Sequence, residues 1–414
     1  MRLWIESAHQ SLTKAGAKVC GDAVRTLQTE EQFLAVLVSS PQGNGACPEP
    51  CPEPCPEQGR REGRREGRAK TVPIADKAAS LLEQGTPLER VVEILLAALP
   101  AGAYMPFAIL QVKTSEASED LRGLQAHLIE CDAPPLFLTR AGRLTLLPVV
   151  EKESQGHLVR ECDFTLRDGD HIAMVSEGYV RIHPLPGPPP RRERGSWRWQ
   201  DVAISLRRWT ETGCDAEQLL GALIRTYHRL VGAEHVQDVT VIAMHVRPLR
   251  SATVWSGPPA DPALDQVALE KLMAEPGMRI ICGDTTAEIA ARLLGAELEL
   301  EPRPEDGWAE VPPTSRLEGV DLVTEGLVTL SKARERMADA KSVRDLPSKM
   351  DGATRLAQML LTADRLHFVV GLAVNPEQAA DAARTIPLRR IVIDDLSRDL
   401  KAQGKVVSVE YFQV

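Results

Sequence analysis

Apolar and polar positions along the chain fall into short runs with two periods. The stretch "VLVSSPQGNG" at Val36–Gly45 ends an apolar run in two serines, a proline and Gly-Asn-Gly. That pattern predicts a buried strand that delivers the chain into a tight exposed loop. The N-terminal "MRLWIESAHQ" has no apolar signal core and reads as the start of a strand. Further on, "TVPIADKAASLLEQG" has helical spacing and stops at Gly85. A second helix is expected over "TPLERVVEILLAALP", with Thr86 as N-cap, Pro87 in the first turn and a proline at its end. The runs "YMPFAILQVK", "LQAHLIECD", "PPLFLTRAG", "RLTLLPVV" and "DGDHIAMVSEG" then read as strands joined by turns. A helix at "DAEQLLGALIRTYHRLVG" and a strand at "DVTVIAMHV" complete an α+β layered domain over residues 1–247.

The second half alternates differently. "MRIICGD" leads into "TTAEIAARLLG", and "VDLVTEG" leads into "LVTLSKARERMADA". "RLHFVVG", the helical "LRRIVIDDLSRDLKAQG" and "KVVSVEYF" close the chain. Strand–turn–helix alternation predicts a smaller α/β domain over 263–414 with an at least partly parallel sheet. Residues 248–262, within "RPLRSATVWSGPPADP", read as the linker because their prolines and glycine break regular elements. Two segments stand apart in composition. Residues 46–70, "ACPEPCPEPCPEQGRREGRREGRAK", form a low-complexity insert too polar to offset its own ordering entropy, with an arginine half able to form a short charged helix. The Pro/Arg-rich residues 184–196 read as an exposed loop.

Composition narrows the function classes. A chain of 414 residues exceeds one ordinary core, and 43% hydrophobic with 26% charged residues is normal for a soluble protein. Aromatics make up only 4%, so the cores must be aliphatic. A net charge of −9 argues against a general nucleic-acid or membrane-surface binder. No apolar run approaches the roughly 20 residues of a bilayer span, and a cytoplasmic location is expected. Three of the eight cysteines, Cys47, Cys51 and Cys55, lie in the proline-stiffened repeat without an obvious fourth zinc ligand. The nine histidines show no pairing of the kind zinc or a triad needs, and His171 and His245 read as structural.

Chemistry in the first half concentrates at strand ends. Asp22 follows Gly21 in "VCGDAV", Glu177 precedes Gly178 in "MVSEGYV", and Asp238 opens the strand of "VQDVTVIAM". Carboxylates gathered this way suit hard divalent cations, although each alone also suits a solvated turn. The ordered set "CGDAV", "SPQGNG", "SEG" and "QDVT", with "AYMPFAIL" and "ECDAPPLFL", resembles the metal-dependent (PPM) protein phosphatase family. The likeness is to its bacterial branch typified by stage II sporulation protein E. "GPP" at 257–259, "CGDTTAEIA" and "EGVDLVTEGLVTL" are similar to a C-terminal extension found in some relatives.

The resemblance implies a β-sandwich flanked by helices, followed by the α/β domain. It implies two Mn²⁺ or Mg²⁺ ions at one end of the sandwich, whose bridging water hydrolyses phosphoserine or phosphothreonine in a regulatory protein. No nucleic acid or membrane span enters this picture. The family-equivalent metal positions are Asp22, Ser40, Pro41, Glu177, Gln237 and Asp238. Ser40 stands at the family's bridging aspartate and Pro41 at the following glycine. Glu177 replaces an aspartate, and Gln237 replaces the usual ligand beside Asp238. Two dications about 4 Å apart repel strongly, and the site is two negative charges poorer than the family's. Metal binding is therefore expected to be weak or absent, with one cation on Asp22, Glu177 and Asp238 as the alternative. Three functions follow: a serine/threonine phosphatase with an altered metal site, a pseudophosphatase that binds a regulatory phosphoprotein, or small-molecule binding by the C-terminal domain. For the last, the turns Gly283-Asp284-Thr285-Thr286 and Glu325-Gly326 are candidates to hold an anion. Their plainer reading is that a threonine there is only an N-cap.

Overall fold

The computed structural model describes residues 2–40, 59–99, 103–114, 123–180, 199–231, 237–302, 310–340, 342–349, 351–373 and 387–412, with the side chains of 59–70 excepted. The chain divides into two compact units, Met1–Pro248 and Leu249–Val414. In chain order, unit 1 runs β1 (Leu3–Leu12), β2 (Ala23–Gln28), β3 (Gln32–Val38), α1 (Gly59–Glu83), α2 (Leu88–Ala98), β4 (Phe107–Lys113), β5 (Leu124–Cys131) and β6 (Phe137–Arg140). It continues through β7 (Arg143–Thr145), β8 (Val150–Ser154), β9 (His157–Leu166), β10 (His171–Val175), α3 (Glu177–Val180), α4 (Trp199–Thr210), α5 (Ala216–Val231) and β11 (Val239–Pro248).

Two antiparallel sheets result, ordered β1-β11-β10-β6-β7 and β2-β3-β4-β5-β9-β8. Strand β3, "QFLAVLV", has no hydrophobic alternation, and the packing shows why. Phe33, Ala35 and Leu37 meet Ile5, Leu110, Leu128, Ile172 and Met244 between the sheets. Leu34, Val36 and Val38 face the other way, against Ala75, Leu82, Val91 and Leu95 of α1 and α2. Strand β11 repeats the arrangement. Its Ile242, Met244 and Val246 enter the sandwich, while Val239, Val241 and Ala243 pack under Val202, Leu206, Leu219 and Leu223 of α4 and α5. Central strands buried on both faces read as continuous apolar runs, and side chains alternate between the faces. The α+β sandwich flanked by helices is thus the fold that the motifs led us to expect.

Local departures have local causes. The backbone of residues 59–70 is helical and continues into α1, so the arginine half of the repeat takes the helical alternative. Residues 46–58 and the 184–196 loop lie outside the described residues. Helix α2 starts at Leu88 with Pro87 in the cap position and no side-chain cap. Thr86, expected as that cap, instead bonds through its N–H to the Leu81 carbonyl at 3.0 Å and closes α1. The hairpin β8–β9 was not anticipated. Its loop residues Gln155 and Gly156 both have positive φ, at 53° and 82°. A two-residue turn of that kind is usually announced by Asn-Gly, and glutamine conceals it.

Unit 2 comprises β12 (Ser251–Ser256), α6 (Asp265–Ala274), β13 (Met278–Cys282), α7 (Asp284–Leu294), β14 (Glu299–Leu300), β15 (Ser315–Leu317), β16 (Val320–Thr324), α8 (Leu327–Met337), α9 (Gly352–Thr362), β17 (Arg365–Gly371), α10 (Leu388–Ala402) and β18 (Val406–Phe412). The sheet order is β14-β15-β16-β13-β12-β17-β18, parallel from β16 to β18 with an antiparallel edge. Val254, Ile280, Leu322 and Phe368 face α8, α9 and α10, while Trp255, Ile281, Val323 and Val369 face α6 and α7. The 248–262 linker is therefore corrected. Ser251–Ser256 is β12, the central strand between β13 and β17. Its six apolar and small residues sit between breakers at Pro248 and Gly257, which bracket the strand rather than dissolve it.

A partly buried polar cluster ties β1 to β11 in unit 1. The His171 and His245 rings stack with centroids 4.4 Å apart, and Glu6 Oε2 lies 3.6 Å from His245 Nδ1 and 3.7 Å from Arg247 Nε. Burial would raise the Glu6 carboxyl, but His245, Arg247 and the Ala216 N–H outweigh it and hold it at about 2. A carboxyl depressed by folding adds stability above its unfolded value, and that stability is lost as pH falls through the folded value. Thermal melts of wild type and Glu6→Gln should differ most above about pH 4.5 and converge towards about pH 2. A gap that does not change over this window would show that Glu6 does not titrate in this way.

Candidate functional site

Strand ends bring the sequence-selected residues of unit 1 to one end of the sandwich. Ala23 pairs with Val38 across β2 and β3, so Asp22 and Ser40 are neighbours just beyond that rung. Val175 pairs with Val241, and Leu12 with Val239, which sets Ser176, Glu177 and Lys14 beside Asp238 and Thr240. Gly21 allows the close approach. A Cβ there would lie 2.8 Å from Ser40 Cβ and 2.9 Å from Asp238 Oδ2. Gly178 is equally confined, because its Cβ would meet the Asp238 carbonyl oxygen at 2.3 Å. Asp22, Glu177 and Asp238 are all buried, at 8%, 4% and 6% exposure, so each carboxylate must be satisfied locally.

The donors are mostly the protein's own. The Ser40 N–H donates to Asp22 Oδ1 at 2.8 Å, and the Ser40 hydroxyl lies 3.4 Å from Asp238 Oδ2. The Lys14 N–H donates to Asp238 Oδ1 at 3.0 Å, and its ammonium stands 3.6 Å from Asp238 Oδ2. Tyr104 donates to Glu177 Oε1 at 3.3 Å. The Ser176 hydroxyl accepts from the Thr240 N–H at 2.8 Å, and the Thr240 and Ser11 hydroxyls are 2.9 Å apart. Thr71 of α1 donates to the Gly21 carbonyl at 2.6 Å, clasping the helix after the insert to this end. Burial pushes the Asp22 carboxyl up, against the Ser40 N–H and the Ser176 and Thr240 hydroxyls, with Asp238 adding to the rise.

Whether these residues suit two divalent ions can be judged from the donor set. Asp22 Oδ2 is buried and unpartnered, which is the kind of atom a cation would satisfy. The other positions do not fit. Asp238 is taken up by an ammonium and a hydroxyl, Ser40 brings no charge, and Gln237 is neutral. A hard dication needs its oxygens drawn within about 2.0–2.6 Å of one centre. Among the described residues, the clusters of three possible ligand atoms are Cys131–Asp132–His157, which lies at this end of the sheet, and Glu89–His127–Glu161, and neither includes Asp22, Glu177 or Asp238. Pro41 lies outside the described residues. The site present holds three buried carboxylates, bound by hydrogen bonds from the chain and by one lysine ammonium, and this donor set fits two divalent ions poorly.

Sequence reading selected the acids but not their partners. Ser176 and Thr240 lay inside quoted motifs without a role, and Tyr104 lay inside "AYMPFAIL". Lys14 was missed because a lysine in "LTKAG" after a strand is indistinguishable from a solvated turn residue. In unit 2, Gly283 and Gly326 occupy the N-cap positions of α7 and α8, and neither helix has a side-chain cap. The plainer reading of Thr285 or Thr286 as N-cap is thus not what is found. The two turns touch. The Gly283 N–H donates to Thr324 O at 2.9 Å, and the Asp284 N–H donates to Glu325 O at 3.0 Å. Among the described residues no helix is long and apolar enough to cross a membrane.

The pairing of Lys14 with Asp238 can be isolated. A double-mutant cycle of Lys14→Met and Asp238→Asn, read by chemical denaturation, should give a coupling of about 1 kcal/mol or more. Strictly additive changes would mean that the ammonium contributes nothing to holding the buried carboxylate.

No protein-family model matches the chain. No curated protein matches it either. Among solved structures, it is similar to the phosphatase domain of the cell fate determinant SpoIIE from Bacillus subtilis, at 12% identity and TM-score 0.40, over 59% of this chain and 93% of that one. It is similar to the SiaA-PP2C domain of Pseudomonas aeruginosa, at 13% identity and TM-score 0.41, over 57% and 84%. It is also similar to the RsbU and RsbW domains of a Mycobacterium tuberculosis protein, at 14% identity and TM-score 0.41, over 70% of each chain.

Proposed function

We propose that unit 1 is a PPM-type phosphatase scaffold that works as a regulatory binding module for a phosphorylated protein rather than as a hydrolase. The observation that carries this reading is the Asp238 clasp, in which Lys14 and Ser40 occupy the oxygens that a metal would need. Ser40 contributes twice, holding Asp22 through its N–H. A dication entering this space would have to displace an ammonium and two hydrogen bonds, and would find fewer anions than its charge requires. The protein-phosphatase resemblance supplies the phosphoprotein class. The partly exposed Lys14 ammonium, at 31% side-chain exposure, is a cation that a phosphoryl group can approach.

Turnover of a phosphoserine peptide in the presence of millimolar Mn²⁺ tests the reading. Wild type should show no release above the buffer rate, and Asp22→Asn should be indistinguishable from it. In parallel, a phosphorylated peptide array should bind wild type in preference to the unphosphorylated array, and Lys14→Ala should reduce that preference. Robust hydrolysis that Asp22→Asn abolishes would establish an enzyme instead. Absence of both hydrolysis and phosphate-dependent binding would remove this surface as the functional one.

A further inference from the structure

Unit 2 holds a second group of buried polar atoms, independent of whatever unit 1 does. Its parallel strands run in the order β16-β13-β12-β17-β18. The chain therefore leaves central β12 on one side, through β13 and β16, and returns on the other to β17 and β18. Connections diverge between β12 and β17, and the crevice beyond the carboxyl ends of two such strands is where open α/β sheets take their ligands. Gly257 follows β12, Gly371 ends β17, and Arg389 from the first turn of α10 reaches both. One terminal nitrogen of Arg389 donates to the Gly371 carbonyl at 3.3 Å. A Cβ on Gly257 would lie 2.3 Å from that nitrogen, and Gly257 also has a φ of 79°, so glycine is required there.

Arg389 is poorly compensated. Its Nε is buried without a partner, and among the described residues it forms no ion pair. Burial pulls the guanidinium below the ordinary arginine range, with Cys282 and Glu325 opposing that shift. Two fully buried hydroxyls, Ser256 at the end of β12 and Thr286 in the first turn of α7, also have no partner. A Cβ on Gly283 would lie 2.8 Å from Thr286 Oγ1 and 3.8 Å from the Gly257 nitrogen, so this hydroxyl is directed at the glycine turns of the strand ends. Helix α7 spans Asp284–Leu294 with no side-chain cap; its Asp284 N–H is taken by the Glu325 carbonyl, which leaves the Thr285 and Thr286 N–H groups to face an acceptor. Helix α8 differs, because Glu325 turns its carboxylate to the Val328 and Thr329 N–H groups. Its other oxygen, Oε2, is buried and unpartnered. Asp284 and Glu288 on α7 are exposed and oppose an anion, so the donors must act together.

We propose that this crevice binds a small phosphorylated, hydroxyl-bearing molecule. Its phosphate is held by Arg389, Ser256, Thr286 and the start of α7, and a ligand hydroxyl donates to Glu325 Oε2. The orphaned groups of Arg389, Ser256, Thr286 and Glu325 then gain partners, as buried polar groups require. Charge-assisted bonds to a guanidinium supply most of the attraction.

The probes are inorganic phosphate, ribose 5-phosphate and ribose, titrated calorimetrically into the full chain against sodium chloride of equal ionic strength. Ribose 5-phosphate should bind saturably and more tightly than inorganic phosphate, and ribose should not bind. Arg389→Met should weaken ribose 5-phosphate by about tenfold or more. The near-isosteric Thr286→Val should weaken it less, with its circular dichroism unchanged. Absence of saturable binding by either phosphate probe, or binding that neither unit 2 variant alters, would overturn the proposal. Equal affinity for the two phosphate probes would overturn the assignment of Glu325 as hydroxyl acceptor.

Discussion

A carboxylate buried at a strand end must find positive charge or hydrogen-bond donors, and Asp238 finds both in Lys14 and Ser40. The arrangement of the sandwich end follows from that need. Gly21 keeps the approach of Ser40 to Asp238 short enough, and the β10–β11 register places the Ser176 and Thr240 hydroxyls alongside. Lys14 and Ser40 together satisfy Asp238, and the Ser40 N–H also holds Asp22. Breaking one partner of such a buried pair generally costs more than the pair itself contributes, which makes the cluster self-maintaining.

Much of the scaffold was legible because its central strands are buried on both faces. Strand β3 in "VLVSS" and strand β11 in "DVTVIAMHV" stand out as apolar runs, with Ser40 just after the first and Asp238 just before the second. What was hidden had less periodicity to offer. Strand β12 is six residues between breakers, and β8 with β9 exposes one face, so its hydrophobic signal is diluted. Lys14 could not be singled out, since its importance comes from a register that pairs residues more than two hundred positions apart. The arginine repeat of 59–70 looked too polar to order, yet its backbone joins a helix whose later turns bury Ala75, Ala78 and Leu82. Helix extension from a packed segment is less demanding than nucleation in isolation.

The two units answer the same physical question differently. At the sandwich end, Asp238 is matched by a lysine and a hydroxyl and Glu177 by a tyrosine, while Asp22 keeps one buried oxygen without a partner. At the strand ends of unit 2, one nitrogen of the half-buried Arg389 guanidinium and several buried hydroxyls lack such matches, while glycines at 257, 283 and 326 keep the backbone close around them. Satisfied polar clusters hold a structure together, whereas unsatisfied ones mark places where something else is meant to bind.

The central claim is that the sandwich end does not hold two metal ions. Calorimetric titration of Mn²⁺ into the wild-type chain addresses it most directly. No saturable uptake is expected at micromolar free Mn²⁺, and uptake should emerge when Ser40→Asp, Pro41→Gly and Gln237→Asp add charge and backbone freedom at this end. Tight binding of two Mn²⁺ ions by the wild type, lost in Asp22→Asn, would contradict it.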